Sequence, residues 1–300
     1  MKGNVYIDVP AATAAEEPAT RSYTDALGRT VEIPAQPERI IAHYFGSETV
    51  ALGLPVVGTN YINAAAVLTG EQLKGIVDVG GDGVNLNLEK VLELKPDIIL
   101  VPDFAETEAI DQLTKIAPTV AVPYGGDIFK HLETIGDIAG NKDAAAQWTA
   151  SYTAKADEKR KELESVVKPG ETASAFILYQ DKQLYLYSPN YFGQTMHKAL
   201  ALGVPDNVQK LFSDKPDSLW ESGSMELLPD YAADYVFLLV PGDNEDAKKA
   251  ADDMLASSLW KNLPAVKNGK AFVVDSKWGF TDPMTMNWLL DEMTTTIEGK

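Results

Sequence analysis

A chain of 300 residues, 45% of them hydrophobic, has enough apolar side chains to build a core in each of two domains. Its 44 acidic residues against 26 lysines and arginines leave a formal charge of −18, a field that repels nucleic-acid phosphates and anionic lipid surfaces and argues against both as partners. The absence of cysteine excludes disulfides, thiolate nucleophiles and thiolate metal sites, and no apolar run approaches the roughly 20 residues that span a bilayer.

The start, MKGNVYIDVP, lacks the charged-then-apolar order of a secretory signal. Ala11–Thr20, AATAAEEPAT, is small, acidic and punctuated by proline, so residues 1–21 read as a disordered leader between a domain and a lipid anchor missing from this chain. From residue 22 to 140 short β-rich runs alternate with helical patterns. The strands are RIIAH, PVVGTN, DIILV and TVAVP, and the helices lie over ETVALGL, LEKVLELK, ETEAIDQLTKIA and DIFKHLETIGDIAG. Such alternation predicts βαβ units, hence a mostly parallel sheet with helices on both faces.

Residues 141–168 contain no glycine or proline and are rich in Ala, Lys, Glu and Gln. They predict one helix of roughly 40 Å, ended by Pro169-Gly170. A second α/β series occupies residues 169–300: strands SAFILYQ and QLYLYS, the helix FGQTMHKALALG, a helix around MELLPDY, and strand DYVFLLVP. A long helix over EDAKKAADDMLASSLWKNL, strand KAFVVD and a terminal helix from Met284 complete it. The expected fold is α/β: two Rossmann-like lobes with mostly parallel sheets, one long connecting helix, and a ligand cleft between the lobes. One sentence is written twice. In NLNLEKVLELKPDIIL, Glu89 precedes Asp97 and an apolar strand; in SMELLPDYAADYVFLL, Glu226 precedes Asp234 in the same way. By spacing alone, each glutamate suits the positive end of a helix dipole.

Enzymatic signatures are lacking. GGDGVN has neither the G-x-G-x-x-G order nor a Walker lysine, and no G-x-S-x-G elbow or paired-histidine zinc motif occurs. A dyad of scattered carboxylates stays open as a remote alternative, and the reading is a binder rather than an enzyme.

In this order, YTDALGRTVEIPAQPERII, ALGLPVVGTN, VGGDGVNLNLEKVLELKPDIIL, IAPTVAVP and DPMTMNWLLDEM resemble the substrate-binding proteins of iron-siderophore and vitamin B12 ABC importers. The resemblance covers about residues 22 to 298. It implies an extracytoplasmic protein, periplasmic or a cell-surface lipoprotein, acting as a monomer that delivers an Fe(III)-siderophore complex to a permease dimer. No cofactor is implied. It also implies that Glu89 and Glu226 dock into arginine-lined permease pockets, a role compatible with their helix-start chemistry.

Ligands of two-lobed binders sit at the carboxyl ends of the strands. There the first lobe offers His43, Tyr44, Phe45, Tyr61, Asp82, Phe104 and Tyr124, and the second Tyr187, Tyr191, Phe192, Trp220, Trp278 and Phe280. Trp220 and Trp278 resemble ligand-contacting tryptophans of the hydroxamate-binding branch. The four arginines, Arg21, Arg29, Arg39 and Arg160, fall outside these loops, so a multiply anionic catecholate or citrate complex would lack its counter-charge. A neutral or cationic ferric hydroxamate, such as a ferrioxamine type, suits aromatic faces and a carboxylate. Cobalamin and haem remain alternatives, haem with Met196-His197 or His43 as axial ligands; direct metal binding is disfavoured because His43, His131 and His197 are scattered.

Overall fold

The computed structural model describes residues 19–81, 85–179, 181, 183–216, 218–242 and 244–299. The expected leader therefore lies outside the described residues up to residue 18, and so does Asp82. The chain opens with an antiparallel hairpin of β1 (Thr20–Thr24) and β2 (Thr30–Pro34). Asp25 ties this hairpin down: its carboxylate accepts from Leu27 N, Arg29 N, the Arg29 guanidinium and Ala121 N. Burial alone would raise the Asp25 pKa, but these donors outweigh it and hold the carboxyl below its ordinary value.

The first lobe then runs β3 (Ile40–Ala42), α1 (Gly46–Ala51), β4 (Val56–Thr59), α2 (Tyr61–Val67), β5 (Val77–Asp78), α3 (Leu88–Glu93), β6 (Ile98–Pro102), α4 (Thr107–Thr114), β7 (Thr119–Val122) and α5 (Ile128–Ile138). Its five strands are all parallel in the order β5-β4-β3-β6-β7. Every residue of β6 and β7 is buried, as continuous Ile/Val/Leu runs require of strands covered on both faces. The order reverses between β3 and β6, so the loops that follow these two strands flank a crevice at the carboxyl edge of the sheet.

Gly140 has φ +66°, and a β-carbon there would run into the Ala35 carbonyl. Only glycine fits this turn between α5 and the connecting helix α6 (Lys142–Leu163). At 22 residues, about 33 Å, α6 is shorter than the helix expected over 141–168. After Leu163 the chain tightens, with Val166 N and Val167 N both bonding to the Leu163 carbonyl, and the two valines turn inward to pack on the second lobe's core. Burying two β-branched side chains outcompetes another helical turn.

The second lobe contains β8 (Ala173–Leu178), β9 (Leu184–Tyr187), a π-helix over Gln194–Ala199, α7 (Asp206–Phe212), β10 (Trp220–Gly223), a 3₁₀ turn over Met225–Leu227, α8 (Leu228–Tyr231) and β11 (Tyr235–Val240). It ends with α9 (Glu245–Ala256), α10 (Ser258–Lys261), α11 (Pro264–Lys267), β12 (Ala271–Asp275), a 3₁₀ turn over Ser276–Gly279 and α12 (Pro283–Glu298). The sheet order is β10-β9-β8-β11-β12; β8, β11 and β12 are parallel, and β9 and β10 form an antiparallel edge. The long helix expected over 245–263 is broken at Ser257, whose hydroxyl accepts from Trp260 N and restarts the helix so that the Trp260 indole enters the core. Glu226 sits in the 3₁₀ turn ahead of α8, not within an α-helix as expected, because Pro229 and the short span to Asp234 leave room for a single helical turn.

The two lobes meet along α6. Lys155 and Lys159 of α6 both pair with Asp291 of α12, at 2.6 and 3.3 Å, and Lys155 also bonds to the Asn287 carbonyl at 2.7 Å. Trp148 and Tyr152, one turn apart on α6, stack at 5.3 Å and receive Phe129 from α5. Among the described residues no helix is long and apolar enough to cross a membrane.

Candidate ligand-binding cleft

Three loops at the carboxyl edge of the first sheet deliver one ring each. Tyr44 follows β3, Phe104 follows β6 and Tyr124 follows β7. Their centroids lie 5.2 to 6.0 Å apart, with Phe104 and Tyr124 perpendicular. Phe104 is 51% and Tyr124 49% exposed, so the cluster is an open wall rather than core. Phe45, expected beside them, is wholly buried and packs edge-on against Tyr124 and His131, which it supports from behind. Tyr61 is half-buried, and its hydroxyl donates to the Ile76 carbonyl at 2.7 Å; it braces α2 against the strand that follows.

On the second lobe, alternation along β9 puts Leu184 and Leu186 into one core cluster while Tyr185 and Tyr187 share the opposite face. Trp220 lies directly across from Tyr187 in the β9–β10 pair, 6.0 Å between ring centroids, and 6.1 Å from Tyr185. Tyr179 adds a fourth ring, 5.5 Å from Tyr185, whose hydroxyl donates to Asp181 at 2.9 Å. This face of the sheet carries the same core cluster that packs on α6 and α12, so the aromatic edge looks toward the junction with the first lobe. Trp220 is 37% exposed there. Tyr187 is buried with its hydroxyl against Gly279, and burial pushes its phenol pKa up.

The floor is formed where the lobes touch. The Ser47 hydroxyl, in the first turn of α1, donates to the Asp282 carboxylate, which also caps α12 by accepting from Met284 N and Thr285 N at 3.0 and 3.1 Å. Tyr44 and Phe280 stand three and two residues from this contact, and Phe280 is 44% exposed. Beside Ser47, Glu48 is buried with His131 Nδ1 at 3.6 Å, while His131 Nε2 bonds to the Pro123 carbonyl. Burial raises the Glu48 pKa against the pull of His131; His131 is raised because the Glu48 carboxylate and the Pro123 carbonyl outweigh its own burial.

Expectation and structure differ at specific residues. Trp278 is 5% exposed and packs between Phe237 and Trp288, so it belongs to the second core and backs the wall instead of facing ligand. Phe192 is likewise core, and Tyr191 is half-buried in the turn that follows Ser188. Tyr179 and Tyr185 were not among the expected residues; the period-two pattern of LYLY carries the signal for Tyr185, since it must share a face with Tyr187. The candidate haem ligands do not converge: Met196 is buried in the π-helix, and His197 Nδ1 is bonded to the Leu202 carbonyl at 2.8 Å. Among the described residues no cluster of three or more His, Asp or Glu is arranged to hold a metal ion. Glu89, in the first turn of α3, and Glu226 are both exposed.

The chain is 32% identical over 291 residues to the iron(3+)-hydroxamate-binding protein YxeB of Bacillus subtilis, covering 95% of this chain and 87% of that protein. Unliganded FhuD2 from Staphylococcus aureus superposes with a TM-score of 0.79 at 27% identity, over 93% of this chain and 98% of that one. FhuD2 with bound ferrioxamine B superposes with a TM-score of 0.70 at 25% identity, over 86% and 98%. Residues 49–278 match the family described as periplasmic binding protein, and this chain belongs to that family.

Proposed function

We propose that this protein captures a ferric hydroxamate siderophore in the cleft and delivers it to the permease of an ABC importer. The observation that carries the ligand class is the pairing of two open aromatic walls with a cleft that lacks guanidinium groups. Each of the four arginines is engaged elsewhere: Arg21 with Asp137, Arg29 with Asp25, Arg39 with the Leu94 carbonyl, and Arg160 with the Ala199 carbonyl and Asp157. A trihydroxamate complex is neutral at iron and presents apolar arms, which ring faces bind well; a ferric catecholate or citrate complex would bring several negative charges into a cleft without a guanidinium to pair with them.

Delivery is assigned to Glu89 and Glu226, exposed carboxylates on separate lobes that fit guanidinium-lined permease pockets. The protein acts as a monomer. The test of the ligand class is quenching of intrinsic fluorescence, which five tryptophans provide. Ferric trihydroxamates, ferric catecholates, ferric citrate, haem and cobalamin are titrated in parallel. Saturable quenching confined to the trihydroxamates is expected; tight binding of a catecholate or citrate complex would defeat the charge argument.

A further inference from the structure

The wall of Tyr44, Phe104 and Tyr124 exposes ring faces at the carboxyl edge of the first sheet, with carboxylates close by. Three strand ends converge to place these rings within 6.0 Å of one another. Phe104 and Tyr124 leave about half of their surface open. Negative charge backs them. Asp103 Oδ1 accepts from Tyr124 N at 3.2 Å. Asp127 caps α5 on the same loop as Tyr124, and Glu106 stands at the start of α4, two residues beyond Phe104, with no side-chain cap bond.

The cations nearby are placed differently. His131 directs one ring nitrogen to Glu48 and the other to the Pro123 carbonyl, so its charge is taken up behind the wall. Lys130 lies on the exposed side of α5. Ring faces with partial negative charge, backed by carboxylates, attract an organic ammonium, and the attraction grows as the ammonium loses water against the rings.

Building on the hydroxamate reading, we propose that Tyr44, Phe104 and Tyr124 form a subsite for a cationic amine on the siderophore, and that it makes this protein selective for linear trihydroxamates with a free terminal amine. The iron centre and its hydroxamate arms are left to Trp220, Tyr185 and the floor. Selection therefore acts on a part of the ligand remote from the metal.

The test compares ferrioxamine B, which carries a terminal amine, with its N-acetylated derivative, which has the same iron centre and no positive charge. The wild-type protein is expected to bind the amine form about tenfold more tightly. Phe104→Leu/Tyr124→Leu keeps apolar bulk and removes the π faces; its affinities for the two ligands are expected to fall within about twofold of each other. Circular dichroism establishes that the variant is folded. Equal wild-type affinity for both ligands, or a preference that survives in the double variant, overturns the subsite and leaves the hydroxamate reading standing. If the wild-type protein binds neither ligand, the hydroxamate reading itself falls, and the subsite with it.

Discussion

The Glu48–His131 pair shows how much chemistry two buried side chains can concentrate. A carbonyl oxygen only accepts, so His131 Nε2 must carry a hydrogen toward Pro123, which leaves Nδ1 to face Glu48. Either imidazolium meets carboxylate or a protonated Glu48 donates to neutral imidazole; both states hold one proton more than ionised glutamate and neutral histidine would. Asp282, Asp103 and Tyr124 are the other titratable groups that bear on the pair. With the His131 pKa raised in the folded state, the stabilisation is present below the unfolded value of about 6.5 and is lost as pH rises through the folded value. Thermal melts from pH 6 to 9 are expected to show a decline that Glu48→Gln flattens, because the amide can donate to Nδ1 without an ionisable proton. An unchanged slope would mean that other groups dominate. His131→Ala is expected to cost about 3 kcal/mol, since Glu48 is left buried without its partner. Neither residue was singled out as part of a pair in the sequence, where nothing local connects a helix-start glutamate to a histidine in a distant helix.

Elements differ in how plainly they can be read. The parallel strands of both lobes stand out because burial on two faces demands unbroken Ile, Val and Leu, as in β6 and β11. β10, WESG, has no such signature; it is an edge strand with Ser and Gly, and only its pairing with β9 makes it a strand. Within FGQTMHKALALG, Gln194–Ala199 form a six-residue π-helix, with Leu200 N bonding to the Thr195 carbonyl, whereas periodicity predicts an ordinary amphipathic helix. The repeated carboxylates are a feature of elements too, because each sits at the start of a short helical segment that leads into a buried strand. Glu89→Ala/Glu226→Ala is expected to leave ligand affinity within about twofold, since both residues lie outside the aromatic walls. Siderophore-dependent iron uptake by cells carrying the double variant is expected to fall to background. Loss of ligand binding instead would refute the docking assignment.

At the scale of the molecule, α6 is the covalent bridge between lobes and α12 runs along it, fixed by the paired lysines at Asp291. The Ser47–Asp282 hydrogen bond adds a non-covalent link at the floor of the cleft. A helix braced in this way resists bending, so ligand closure is expected to be small: a change in radius of gyration below about 1 Å by small-angle scattering. Ser47→Ala removes the floor contact and leaves the Asp282 cap on α12 intact; it is expected to enlarge that change. Closure of several ångströms in the wild-type protein would contradict the rigid-bridge account.

Local chemistry by itself determined the two α/β lobes, the approximate place of the connecting helix, both exposed glutamates and the inventory of aromatic residues near strand ends, because periodicity, capping and turn signals operate over a few residues. Which aromatics face the cleft was decided by the tertiary structure. Trp278 and Tyr185 are both aromatic and both near strand ends, yet Trp278 is covered by Phe237 and Trp288 while Tyr185 stands on the strand next to the sheet edge, beside Trp220. Exposure depends on what the rest of the chain lays over a face, and strand order, which sets that, leaves no trace in the local pattern.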